Sequence, residues 1–296
     1  MPTDAEIGLL RYNSLAPCFP HVLDLPADYY RRAGVTRLHN HDRLDVDSIR
    51  AGDLIYVKTD GLSAFTKAMA HIRVPFGLVT GISASTPSDF ADLAGDERLV
   101  SWSGTNLPLW SEKILQVPIG FTERERPHGD LAAILAAVGG QPWEQRTIGI
   151  LLTAMSDTSP ERHAIPTDGV FVSQERLAYD AYLHLLGRSR YVICPRGKGV
   201  DTLRFWETLA AGAVPVVRSS LLDPLYRECG ALIVGDWAEM AESVDAHRRS
   251  AAGPAFRERA LATFAARDGL FFTASWERRI RDHHGRLMAA RQTAAG

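Results

Sequence analysis

The chain predicts an α/β protein made of two Rossmann-like domains, each a parallel sheet with helices on both faces, facing each other across a cleft. Three observations predict it. Short apolar runs alternate with helix-patterned segments through most of the 296 residues, which is the pattern of parallel sheets covered by helices. The alternation comes in two series, separated by the charged run TERERPHGD, which holds Pro127 and Gly129. Several strand-patterned runs end directly in small, polar or charged residues, as strands do where ligands bind beyond their carboxyl ends.

The first series begins after residues 1–50, whose periodicity is weak and which hold an aromatic, Pro-containing piece around Cys18–Tyr30. Asp53–Lys58 (DLIYVK) reads as a strand, Gly61–Ile72 as a helix and Pro75–Thr80 (PFGLVT) as a second strand. Ser88–Leu93 suggests a short helix, with further strands at Leu99–Trp102 and Ile114–Val117. The second series opens with an Ala-rich helix, Asp130–Val138, stopped by Gly139 and Gly140. A strand at Thr147–Thr153 follows, then a helix over Arg176–Leu186 with apolar residues at Leu177, Tyr182, Leu185 and Leu186. Next comes Tyr191–Val217, a strand, a Gly- and Arg-rich loop, a helix and another strand. Leu232–Val234 is one more strand. From Trp237 the chain reads as helical and charged, with amphipathic pieces at Ala260–Phe264 and Trp276–Met288 and a frayed end. The expected domains are 1–125, a connecting segment over 126–146, a second domain over 147–275, and a closing helix and tail over 276–296.

Bulk properties narrow the function classes. Formal net charge is −2, so no basic field argues for nucleic acid and any anion site is local. The three cysteines, Cys18, Cys194 and Cys229, are far apart and form no CxxC pair, which disfavours a disulfide framework or structural zinc. The N-terminus has no basic start followed by a long apolar run, and no run approaches the roughly 18 apolar residues of a membrane helix. A cytoplasmic protein without a transmembrane segment is expected, with peripheral membrane contact left open. The histidines show neither HxxxH nor HExxH, there is no DxD triplet, and no GxGxxG follows the first strand. No metal and no dinucleotide cofactor are expected.

Candidate site residues cluster after strands. In Pro195–Asp201, Gly197 and Gly199 permit close backbone approach, Arg196 offers a forked donor and Lys198 a point charge. Amides at the start of the next helix, near Thr202, can hold phosphate oxygens, and Asp201 suits its N-cap. The same loop also reads as a solvated turn carrying two cations. Glu207 can accept hydrogen bonds from a ribose diol, or pair with Arg204 on the helix surface. Arg162, in the loop AMSDTSPERHAI, lies where a diphosphate often rests in such folds, or in an ordinary turn. In the first half, Asp60 either takes a proton from an acceptor hydroxyl or caps the following helix. Thr80, Ser83 and Asn106 either line an acceptor site or belong to plain loops.

The stretch ICPRGKGVDTLRFWETLAAGAVPVV resembles the signature of exostosin-like glycosyltransferases of bacterial type. The matching positions are Cys194, Pro195, Gly197, Arg204, Glu207, Gly212, Pro215 and Val216, with Glu-Thr-Leu where that family usually has Glu-Ala-Leu. Leu232–Trp237 (LIVGDW) is similar too, and DLIYVKTD, PFGLVTG, WSGTN and VPIGF follow the family order more loosely. Gly81, Ile82 and Ser83 stand where an acidic triplet often occurs.

The resemblance implies a GT-B arrangement and transfer of a sugar from a nucleotide-diphosphate sugar to an acceptor hydroxyl on a glycan, polysaccharide or small molecule. It implies that Glu207 holds the ribose and that Arg196, Lys198 and Arg162 neutralise the diphosphate without a metal. Two other readings remain: a non-catalytic nucleotide- or sugar-binding module on the same fold, and an α/β enzyme acting on a phosphorylated substrate.

Overall fold

A computed structural model describes residues 8–24, 43–81, 87–250 and 252–295. The chain divides into two compact units. One holds Gly8–Ile119 together with Phe272–Gly296, and the other Met1–Ile7 together with Gly120–Phe271. The break falls at Gly120, and the closing helix belongs with the first half of the chain.

The first unit carries a five-stranded sheet in the order β1-β2-β3-β4-β5. Its strands are His21–Leu23, Asp53–Val57, Phe76–Thr80, Leu99–Gly104 and Ile114–Gln116, and every neighbouring pair is parallel. Sequential order means that each connection steps the same way, and crossovers are right-handed as a rule, so the connections gather on one face. That face buries Ile55, Val57, Phe76, Leu78, Leu99 and Trp102 against Leu62, Phe65 and Met69 of α1 (Leu62–Met69). The second face is covered by the C-terminal helix, Thr273–Ala295. Trp276, Ile280 and His284 recur every four residues along it and are buried, giving it the single inward stripe of a surface helix. His284 meets Ser101 Oγ through Nδ1 at 2.8 Å and the Gly52 carbonyl through Nε2 at 3.0 Å. Gly77 is required beneath it, because a Cβ there would lie 2.6 Å from Leu54 and 2.7 Å from the His284 ring.

The second unit carries a five-stranded parallel sheet with a different order, β10-β9-β8-β6-β7. Its strands are Ile148–Thr153, Phe171–Ser173, Ser189–Ile193, Val214–Arg218 and Leu232–Val234. The chain steps outward from β6 to β7, then returns to the far side of β6 for β8 and continues to β9 and β10. The strand order therefore reverses between β6 and β8, and ligands in open parallel sheets bind beyond the carboxyl ends at such a reversal. The helices are α2 (Leu131–Ala137), α3 (Tyr179–Gly187), α4 (Leu203–Ala210), α5 (Asp223–Cys229), α6 (Met240–Arg249) and α7 (Pro254–Ala266).

Local chemistry explains the main boundaries. Asp130 caps α2 by accepting the Ala133 amide at 2.7 Å. Gly139 and Gly140 then turn with φ of 76° and 54°, open to glycine at little cost. The turn is fastened by Arg146, 1% exposed, which donates to the carbonyls of Gln141, Gly139, Ser189 and Ala211 at 2.6–3.0 Å. Gly230, at φ 80°, ends α5 in the left-handed conformation.

Several expected elements shift. Gly61 belongs to a 3-10 turn over Thr59–Gly61, Ser88–Gly95 is a 3-10 helix, and the helix expected from Arg176 starts at Tyr179. The C-terminal helix runs to Ala295 instead of fraying after Met288, and beyond that point Arg291 Nη1 donates to the Glu97 carbonyl at 2.7 Å. Strands β1 and β7 were not expected. Each has three residues at a sheet edge, too short for an alternation to register.

Candidate functional site

Three arginines of the second unit, Arg162, Arg196 and Arg204, lie beside the reversal between β6 and β8. Strand β6 ends at Thr153 and β8 at Ile193, followed by Cys194, Pro195 and Arg196. Arg204, in the first turn of α4, donates through Nε to Thr153 Oγ1 at 2.9 Å and through Nη2 to the Ala154 carbonyl at 3.1 Å. It thereby fixes α4 to the carboxyl end of β6, and it forms no surface pair with Glu207. Arg162 donates through Nε to the Arg196 carbonyl at 2.8 Å and through Nη1 to the Ser156 carbonyl. Two loops from neighbouring strands are thus tied by one guanidinium. Burial, and then the positive Arg204, lower the Arg162 pKa from its ordinary value. An anion beside two such cations would relieve their mutual repulsion.

The Gly-containing loop is tight. Gly197 donates its amide to the Gly199 carbonyl at 3.0 Å, and a Cβ on Gly197 would sit 3.0 Å from Arg162 Nη2 and 3.4 Å from Thr158 Oγ1. Arg196 is half-buried and reaches the Lys198 carbonyl at 3.4 Å, while Lys198 is exposed. Thr202 is the N-cap of α4 by backbone position and makes no side-chain capping bond.

Asp201 differs from expectation. It does not cap α4 but is buried, with Trp206 Nε1 donating to its two oxygens at 3.0 and 2.9 Å and the Tyr226 hydroxyl to one at 3.3 Å. The indole needs an acceptor once buried, and Asp201 is the carboxylate within reach, so it fixes α4 and α5 rather than a ligand.

Glu207 is neither a surface ion-pair partner nor open to solvent. It is 4% exposed and accepts the Tyr179 hydroxyl at 3.1 Å on one oxygen and the Tyr182 hydroxyl at 2.9 Å on the other. Burial pushes its pKa up, against the lowering effect of Tyr182, Tyr179 and Arg204. The two tyrosine rings stack at 6.2 Å. Their spacing of three residues on a helix was the signal in the sequence, since such residues share a face.

A cleft of about 230 Å³ opens over the carboxyl ends of β8, β9 and β10. It is lined by Arg196 and Val200 from the Gly-containing loop, by Arg218, Ser219 and Tyr226, and by Glu161, the neighbour of Arg162. A whole bound ligand usually occupies about 300–1,000 Å³, so the cleft suits one portion of a larger molecule. Glu161, Arg218 and Tyr226 were not foreseen. Glu161 lies one residue from an expected cation and Arg218 follows an apolar strand, and neither position is distinctive by pattern.

The first unit gathers less. Asp60 is exposed on the 3-10 turn after β2 and does not cap α1, whose N-cap is Gly61. Thr80 is buried and accepts the Trp102 indole at 3.1 Å. Asn106 is buried at φ 56° in the turn after β4, and Gln116 clamps the next residue by bonding the Leu107 amide and carbonyl at 3.0 and 2.9 Å. Ser83 lies outside the described residues. No group of three or more metal-ligating side chains occurs among the described residues, and no helix among them is long and apolar enough to cross a membrane.

No family model matches the chain, and no curated protein matches it. Among solved structures it is similar to α,α-trehalose 6-phosphate synthase from Burkholderia multivorans, at 13% identity and a TM-score of 0.42, covering 85% of this chain and 74% of that one. It is also similar to HepE from Anabaena in complex with UDP-glucose, at 13% identity and a TM-score of 0.42, covering 77% of each chain. A third is the E. coli trehalose-6-phosphate structure bound with UDP-2-fluoro glucose, at 12% identity and a TM-score of 0.43, covering 80% of this chain and 74% of that one. These are likenesses of general architecture. The class of the fold, two parallel α/β units, rests on the strand orders themselves.

Proposed function

We propose that the chain is a glycosyltransferase of GT-B form that moves a sugar from a nucleotide-diphosphate sugar to an acceptor hydroxyl, without a metal. The observation that carries the reading is the strand reversal between β6 and β8 with Arg162, Arg196 and Arg204 beside it. The exostosin-like spacing of Cys194, Pro195, Gly197, Arg204 and Glu207 supports the same reading. As the glycosidic bond breaks, the departing diphosphate gains negative charge, and cations already in place stabilise that charge most in the transition state. Arg196 and Lys198 are the cations of the Gly-containing loop, with Arg162 behind it. Gly197 allows the loop backbone to approach the phosphates.

In this reading the ribose diol reaches Glu207 by taking the place of the half-buried Tyr182 hydroxyl. Asp60, exposed on its turn, is the base that takes the acceptor proton. The acceptor is a glycan or small molecule that enters beside Thr80, Ser83 and Asn106.

The test is thermal unfolding in EDTA with a panel of nucleoside diphosphates. A ligand at a hundred times its Kd adds about 2.7 kcal/mol, which in a protein of this size raises Tm by about 5–10 °C. Arg196→Ala should remove most of that shift while leaving the ligand-free Tm near the wild-type value. A panel in which inorganic phosphate or phosphate monoesters stabilise the protein and no nucleoside diphosphate does would refute the reading.

A further inference from the structure

The cleft beside the Gly-containing loop pairs a carboxylate with a guanidinium. Glu161 sits in the short turn Pro160–Ala164, one residue before Arg162. Its side chain is 12% exposed, with Oε2 at 4.0 Å from Arg218 Nη1, and Oε1 accepts the Trp237 indole at 3.2 Å. Arg218 ends β9, is 45% exposed, and stands between Glu161 and Asp236, the latter at 3.8 Å. Neither contact is a short, two-pronged ion pair, so the two groups line the cleft side by side with hydrogen-bonding capacity remaining. Val200 and Val217 supply apolar wall, and the Tyr226 ring is held against Phe205 at 4.3 Å.

Resting on the donor reading above, we propose that this cleft takes the base of the donor nucleotide and selects guanine. A carboxylate in a base pocket is an acceptor that needs two adjacent donors. Guanine presents N1–H and the 2-amino group side by side, and next to them the O6 and N7 acceptors that suit a guanidinium. Uracil places carbonyls on both sides of its single N–H, so one of them faces the carboxylate. Cytosine and adenine offer one amino group and no adjacent ring N–H. The shared turn gives the arrangement its logic. Arg162 ties that turn to the Arg196 carbonyl, so the base-reading carboxylate and a phosphate-side cation are placed by the same few residues.

The experiment is thermal unfolding of the full chain in EDTA with GDP, IDP, XDP, ADP, UDP and CDP at equal concentration. GDP should give the largest rise in Tm, with IDP, which lacks the 2-amino group, intermediate. Isothermal titration should show Glu161→Gln weakening GDP about ten- to a hundred-fold, the range of one two-pronged base contact. The same variant should gain affinity for XDP, whose 2-carbonyl accepts from the new amide, and a folding defect cannot produce that gain. A rise with UDP, CDP or ADP equal to that with GDP overturns the guanine assignment and leaves the donor reading standing. No rise with any diphosphate overturns both.

Discussion

Removing the Glu207 carboxylate tests whether the buried cluster beneath the Gly-containing loop is built around it. Glu207→Ala deletes an acceptor for two tyrosine hydroxyls, at 3.1 and 2.9 Å, where only 4% of the residue is exposed. A hydrogen bond to a charged acceptor contributes roughly 1.5–3 kcal/mol, so two give about 3–6 kcal/mol before any offset. The variant also escapes the burial penalty that pushes the Glu207 pKa up, which returns part of that sum. A net loss of about 2–4 kcal/mol remains, because one buried and one half-buried hydroxyl lose their acceptor. Urea unfolding followed by circular dichroism reads it directly. A double-mutant cycle with Tyr182→Phe should give a coupling of about 1–3 kcal/mol.

The pH dependence has a definite sign. The folded pKa of Glu207 lies above its ordinary value of 4.5. The part of its contribution that depends on pH is complete below that value and is lost as pH rises from 4.5 through the raised folded value. Glu207→Gln should abolish this slope. Stability of Glu207→Ala within about 0.5 kcal/mol of wild type, the range of ordinary surface changes, would refute the argument.

Three further outcomes follow from the packing. Burial holds the His284 pKa below its ordinary value, with His283 adding to the effect and the Gly52 carbonyl and Asp53 opposing it. The neutral ring therefore stabilises the C-terminal helix fully above about pH 6.5, and the protection factors of that helix, which are exchange rates corrected for the intrinsic pH dependence of amide exchange, should fall as pH falls below it, but not in His284→Gln. Gly140→Ala would bring a Cβ to 2.6 Å from the Gly187 Cα and 2.7 Å from the Ala211 carbonyl at a φ of 54°, so urea unfolding should show a loss above about 2 kcal/mol. Arg146→Lys replaces a fork that serves four carbonyls with a single ammonium, and should lower Tm by more than about 5 °C in calorimetry.

The parts of this fold legible in the sequence are those where one residue type has one physical use. Gly139 and Gly140 marked the end of α2 because left-handed turns favour glycine. The apolar runs at Leu54–Val57 and Tyr191–Ile193 marked buried strands. Edge strands β1 and β7 escaped because three residues carry no period. The site was harder. Arg162, Arg196 and Arg204 do meet at one carboxyl edge: Arg196 closely follows β8, Arg204 opens the helix behind it, and Arg162 reaches the Arg196 carbonyl from the turn Pro160–Ala164. Asp201 and Glu207 carried the right chemistry for a ligand or a cap, but other side chains claimed them, all but Trp206 distant in sequence. Trp206 and Tyr226 hold Asp201, and Tyr179 and Tyr182 hold Glu207. No local pattern shows which of two buried acceptors a distant donor will reach.

Both sheets place charge at a carboxyl edge, Asp24, Lys58 and Asp60 in the first and Arg162, Arg196 and Arg204 in the second, but only the second gathers it at a strand reversal, and topology supplies the reason. In β10-β9-β8-β6-β7 the connections leave on both sides of the reversal, so the loops after β6 and β8 splay apart and leave a crevice. Arg162 and Arg204 bridge that gap to the neighbouring loop and strand end rather than closing a hydrophobic seam. In β1-β2-β3-β4-β5 every connection moves the same way, with no reversal, and described polar residues at its strand ends find partners within the unit. Thr80 accepts from Trp102, and Gln116 clamps Leu107 beside Asn106. That one-way order also leaves a whole sheet face without a crossover helix of its own. Gly77 and Ser101 on that face are small, and the space they leave is filled by His284. The C-terminal helix is therefore part of the first sheet's core, and truncation before Thr273 should expose that face and unfold the first unit.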